Sequence, residues 1–215
     1  MALNAKKAGS PKGQRAPVLE PENYMARVVQ VIDLGVQPQR PFQGKEKPPA
    51  QEIMLTYELT TEFMPDDDGE PDETRPRWLS ERFPLHNLKS ERAKSTKRYL
   101  ALDPKQTHGG DFSALLGKAC LVAIVNNERD GVVYNNIGGI SAPLKGVPVA
   151  ELVNDPIFFD TDEPDIDVFY GLPEWMQDLI KDNLEFRGSA LEAALKGEKS
   201  PDPDPVEEDD DDFPV

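Results

Sequence analysis

Two histidines and one cysteine are all the imidazole and thiol in this chain of 215 residues. His86 and His108 belong to no recognisable nucleophile pattern, and these three side chains are too few for a His/Cys zinc site. Cys120 lies in the apolar run Ala119 to Val125, where a thiol fills core space as a small hydrophobe. Asp160, Asp162, Glu163, Asp165 and Asp167 form a carboxylate cluster that could hold a divalent cation and serve a metal-dependent nuclease. The cluster lacks the glycine and ligand spacing of a calcium loop, so a solvated acidic loop is the favoured reading. No Gly-rich phosphate loop with a following Lys-Ser/Thr occurs. The expectation is a protein that is not an enzyme and carries no cofactor.

Binding chemistry is better represented. Residues 75–105 hold nine bases (Arg75, Arg77, Arg82, Lys89, Arg92, Lys94, Lys97, Arg98 and Lys105) against three acids. Trp78 shares a strand phase with Arg82 inside that window. A tryptophan on the polar phase beside arginines is what a base-stacking platform needs, with phosphates tracking the basic groove. The alternative is that Trp78 packs under a loop or the N-terminal arm and that Lys94, Lys97 and Arg98, at i, i+3 and i+4, are an ordinary solvated helix face. A second candidate is the loop Gln39 to Lys47, where Phe42 in a Pro/Gly setting is flanked by Arg40, Lys45 and Lys47. Either Phe42 contacts a ligand or it folds back as an apolar plug. Tyr57 shares a face with Ile53, Leu55 and Leu59 and is read as core. Tyr134, Asn135 and Asn136 are open between contact and edge roles.

Charge along the chain sharpens this. Residues 1–150 carry 20 bases and 19 acids, whereas residues 151–215 carry 4 bases and 21 acids. The net charge of -16 therefore hides a near-neutral body and a C-terminal part at -17. The chain finishes with Asp209, Asp210, Asp211, Asp212, Phe213, Pro214 and Val215. An acid run alone favours solubility, but an apolar end after it suits capture in a basic-rimmed pocket of a partner protein. No apolar run approaches the ~20 residues of a membrane span. The N-terminus has no apolar segment of a secretory signal, and with one cysteine a reducing cytoplasmic location is expected.

The elements that must position these residues read as mainly β. Residues 1–22 are a basic, Pro/Gly-containing arm expected to be mobile, and residues 197–215 a disordered acidic tail. Between them, Tyr24 to Leu34 is apolar on both phases and reads as a long strand that can carry a bulge. Gln51 to Phe63 alternates with period two, as does Arg77 to Leu85. Ser90 to Leu102 and Asp111 to Gly117 read as short helices. Ala119 to Val125 and Val132 to Ile137 pair through a turn at 126–131. Residues 172–186 form an amphipathic helix with Pro173 in its first turn. Three strands, a helix and two more strands is the connectivity of a five-stranded OB-fold barrel, here spanning residues 23–196.

Two resemblances follow. The tail is similar to those of bacterial single-stranded DNA-binding proteins, which end in aspartates and an apolar-Pro-apolar tripeptide and recruit replication and repair proteins. Here the aromatic precedes the proline. The body resembles the single-stranded DNA-binding proteins of tailed bacteriophages over Val29 to Glu62, Arg77-Trp-Leu-Ser-Glu81, Leu116-Gly-Lys-Ala-Cys120 and Tyr134-Asn-Asn-Ile-Gly-Gly-Ile-Ser141. The resemblance implies an OB-fold that coats single strands during phage replication, recombination or repair. The rival reading is an acidic interaction protein, a DNA mimic or assembly factor, that binds a basic partner through residues 151–215. Oligomeric state and DNA-against-RNA preference stay open at this point.

Overall fold

One run apolar on both phases and two that alternate with period two produce three long strands, and their register makes the barrel. In the computed structural model, which describes residues 16–197, β1 (Asn23–Gln37), β2 (Ala50–Pro65) and β3 (Pro71–Pro84) form an antiparallel meander. β4 (Ala119–Arg129) returns to the other side of β1, and β5 (Val132–Ser141) pairs with β4. The order is β3-β2-β1-β4-β5, with α1 (Lys94–Leu102) between β3 and β4. This is the expected OB-type connectivity. β3 and β5 approach one another without ladder pairing, leaving a nearly closed barrel with a seam lined by Leu79, Arg82, Asn136 and Ile137.

The barrel core takes Ala26, Val28 and Val31 from β1, Ile53, Leu55, Tyr57 and Leu59 from β2, Phe83 from β3, and Cys120, Val122 and Ile124 from β4. Tyr99 and Leu102 of α1 close its end. A bulge explains how β1 feeds this core from both phases. Val28 pairs with Tyr57 but Gln30 with Thr56, so the extra residue at 29 switches the inward phase and Val31 points in after Val28. Truncating Leu55, fully buried in this core, to alanine would cost about 2–5 kcal/mol.

The outer phase of β1 and β2 is also covered, which the two apolar phases of β1 foretell and the alternation of β2 does not. β4 pairs with β1 only over Asn23–Arg27, and beyond that the freed edge takes β6 (Ile157–Phe159) in parallel. Then α2 (Ile166–Gly171), α3 (Glu174–Lys181) and α4 (Ala190–Leu195) pack over the sheet. Ile32, Leu34 and Met54 meet Phe159, Phe169, Leu172, Met176, Ile180 and Leu191 in this second core. Gly35 lets the layer close. It has φ +71°, and a Cβ there would lie 2.6 Å from the Asn183 side chain.

Several boundaries differ from expectation. The helix read over 172–186 is only α3. Pro173 caps its start, and Asn183 ends it by donating from Nδ2 to the Ile180 carbonyl at 2.6 Å, leaving Leu184 exposed. The turn read at 126–131 is the two-residue Asp130–Gly131, and Asn126 to Arg129 are strand. The first helix begins at Lys94 rather than Ser90, and the second is the single 3-10 turn Ser113–Leu115. The arm read over 1–22 is fastened where it is described. Leu19 is buried, and Asn135 and Asn126 bind its backbone. Residues 1–15, and the tail beyond Gly197 with Asp209 to Val215, lie outside the described residues.

Candidate nucleic-acid interface

The β1–β2 loop presents its aromatic outward. Phe42 and Lys45 exchange backbone hydrogen bonds of 2.9 and 3.0 Å across Gln43–Gly44, which have φ of 51° and 73°. Two consecutive positive φ values are the mark of a type I′ hairpin tip, and Gly44 suits the second position. Phe42 is 59% exposed, so it does not plug the barrel, and Lys47 Nζ stands 5.0 Å from its ring centroid. Arg40, Lys45 and Lys47 are exposed and make no ion pair with any described residue.

The basic window 75–105 divides into two sets. Arg98 is buried and clasps Glu81 through Nε at 2.6 Å and Nη2 at 3.0 Å, while Lys94 Nζ reaches the same carboxylate at 2.8 Å. Tyr57 donates its hydroxyl to Glu81 at 2.9 Å. Burial, reinforced by that carboxylate, raises the Tyr57 phenol well above its ordinary pKa. Arg77 is buried too and donates to the Pro17 carbonyl, and burial lowers its pKa. Arg82 is paired with Glu52. These four bases, expected at the interface, are committed to intramolecular partners. A buried arginine held bidentately fixes α1 under the barrel and has no donor fork to offer a phosphate. Arg75, Lys89, Arg92 and Lys97 are exposed and unpaired among the described residues. The Leu85 N–H donates to the Gln51 carbonyl at 2.8 Å, so the chain leading to Lys89 and Arg92 leaves beside the root of the Phe42 loop.

Trp78 lies on the outer phase of β3, opposite Glu58 of β2, and is 37% exposed. Its indole N–H donates to Glu58 Oε2 at 3.0 Å. Glu58 is itself buried and accepts from the Val153 N–H and from Asn154 Nδ2, both at 2.6 Å. Arg27, next on the same row, binds the Val149 and Ala150 carbonyls and Glu151. The connection after β5 is thereby strapped across the row Arg27–Glu58–Trp78. The expected platform is half-covered, with the indole held in one orientation.

Sequence reasoning left one surface undecided that the structure resolves. β4 and β5 run past the start of β1 as a two-stranded ribbon. Its register puts Asn127 opposite Tyr134 and Val125 opposite Asn136 on one side. Asn127, Arg129, Tyr134 and Asn136 line an open cleft of about 550 Å³ there. The side-chain amides of Asn126 and Asn135 hold Leu19, although Asn135 also lines part of the cleft. No alternation through 125–136 signals this ribbon, since Asn126 to Asp130 are all polar and Val132 to Tyr134 all apolar.

Two of the carboxylates of 160–167 serve the backbone. Asp160 accepts from the Asp162 N–H, and Asp165 caps α2 through the N–H groups of Asp167 and Val168. Among the described residues no three His, Cys, Asp or Glu side chains are grouped to hold a metal ion. Cys120 is buried, and burial together with nearby Glu81 pushes its thiol pKa up to about 12. No described helix is long and apolar enough to cross a membrane.

The fold and this surface define a mainly β protein with a nearly closed OB-type barrel, a solvent-facing aromatic loop and a helical second layer. No family model matches the chain, and no curated protein matches it.

Proposed function

We propose that this chain is a sequence-tolerant single-stranded DNA-binding protein that acts in phage replication, recombination or repair. The observation that carries the reading is the β1–β2 hairpin tip, where exposed Phe42 is flanked by unpaired Arg40, Lys45 and Lys47. An aromatic face takes any base, and unpaired cations take any phosphate, so the pair binds single strands without reading sequence. Lys89 and Arg92 extend the cationic surface from the adjoining strand end, and Trp78 offers a second, pre-oriented ring. In this reading Asp209, Asp210, Asp211, Asp212, Phe213, Pro214 and Val215 recruit replication or recombination proteins. The acid run also competes with weak ligands for the basic surface.

The test is a gel shift with single-stranded DNA, duplex and RNA of one length. Single-stranded DNA should be retained at lower protein concentration than duplex. No shift with any of the three would favour the acidic interaction protein that binds a basic partner.

A further inference from the structure

The N-terminal segment before β1 and the outer side of α3 carry opposite charge, and neither belongs to the binding surface described above. At its start, the N-terminal segment is rooted by fixed bonds. Leu19 gives its N–H to Asn135 Oδ1 at 2.9 Å and takes Nδ2 donors from Asn135 and Asn126 at 2.9 and 3.1 Å, while Arg77 holds the Pro17 carbonyl. The residues before this root, 1–15, include Lys6, Lys7, Lys12 and Arg15 and no acid.

At the far end of β1 sits α3. The Leu184 N–H donates to the Val36 carbonyl at 2.9 Å, and Gln37 Nε2 to the Leu179 carbonyl at 3.0 Å. The outer side of α3 is an exposed aromatic-acidic face, on which Asp178 also pairs with Lys181 at 2.9 Å. Trp175, 57% exposed, is followed at i+3 and i+7 by Asp178 and Asp182, and Tyr170, 62% exposed, stands on the preceding helix. Residues 160–185 carry nine acids and a single base, Lys181.

We propose that this face of α3 is the docking site for residues 1–15 of a second copy of the chain. Charge complementarity selects the occupant, four cations without an acid against a strongly acidic face. A tryptophan among carboxylates also suits a lysine, through its ring and its flanking charges together. Reach selects the second copy over the same one. A strand of fifteen residues spans about 50 Å, and fifteen residues of chain extend at most about 50 Å. A chain's own arm would have to run back along β1 from the Leu19 root, whereas a neighbour's arm starts wherever its root is placed. The arm leaves one end of the barrel and its site lies at the other, so the contact is head-to-tail and propagates into a row of copies. It requires no nucleic acid and stands or falls apart from the single-strand reading.

The test is a titration of the full-length Trp78→Phe protein, at about 1 μM, with a synthetic peptide of residues 1–15, following the emission of Trp175. The emission should change and saturate, and binding should weaken about tenfold from 0.05 M to 0.3 M salt. Asp178→Lys with Asp182→Lys should abolish binding, since lysines in the last turn of a helix leave α3 intact. A peptide with Lys6→Glu, Lys7→Glu and Lys12→Glu should bind that reversed protein. Three results would each overturn the proposal: no emission change up to millimolar peptide, binding that survives reversal of the face, or a peptide that binds a labelled oligonucleotide while leaving Trp175 undisturbed.

Discussion

Glu81 and Arg98 face each other inside the barrel end, with Oε1 at 2.6 Å from Nε and Oε2 at 3.0 Å from Nη2, and both side chains are buried. One residue away, Lys97 is exposed. Two neighbouring bases of one short helix therefore stand in opposite surroundings. Removing one member of a buried, bidentate pair leaves the other charge uncompensated, which costs about 3–5 kcal/mol. Arg98→Ala should lower stability by that amount in urea melts. Lys97→Ala should stay within about 0.5 kcal/mol of the parent protein and act instead on DNA affinity.

Phe42 is the clearest separation of binding from folding. Its ring packs against no core residue, so Phe42→Ala should leave the melting temperature unchanged. The same variant should lose about 1–3 kcal/mol of affinity for oligothymidylate, the usual worth of one stacked base. Isothermal titration alongside calorimetric melting checks both halves.

The two tryptophans are distinguishable by quenching. Trp78 lies on the proposed path, and Trp175 on the helical layer behind the barrel. Oligonucleotide addition should quench the parent protein and Trp175→Phe to a similar extent, and Trp78→Phe far less. Quenching that disappears with Trp175→Phe would move the stacking surface off β3.

Cys120 should be inert. With its pKa pushed up to about 12 by burial and by Glu81, the thiol stays protonated through pH 8, and only the thiolate is nucleophilic. A colourimetric thiol reagent at pH 8 should find no reactive sulfur in the native protein and one per chain in denaturant. Reactivity should rise only as pH approaches the unfolding limit.

The barrel was legible because its inward phase is written plainly. Ile53, Leu55, Tyr57 and Leu59 repeat at period two, and the strand-helix-strand order left few topologies. The second layer was legible only in β1, where Tyr24 to Leu34 is apolar on both phases. Met54 and Glu58 look like a solvated face until the C-terminal helices cover the one and the connection after β5 the other, and that cover comes from residues some hundred positions away. The site was half legible. Phe42, Lys45 and Lys47 stand in a loop whose exposure follows from its own Pro/Gly chemistry. Arg77 and Arg98 could not be sorted from Arg75 and Lys97 by type or spacing, because their partners Pro17 and Glu81 are long-range contacts. Glu81 gave a hint, an acid on the inward phase of a strand, which must find a buried cation.

On the proposed function, the unpaired loop cations and the exposed Phe42 together bind single strands. Fluorescence anisotropy of a labelled oligothymidylate, titrated with the full-length protein over a salt series, measures it most directly. Engagement of about four phosphates predicts a fall in log K of about 3 per tenfold rise in salt, with Lys45→Ala and Lys47→Ala together flattening the slope. Affinity that is absent at low salt, or that keeps its full slope in this double variant, would contradict the account.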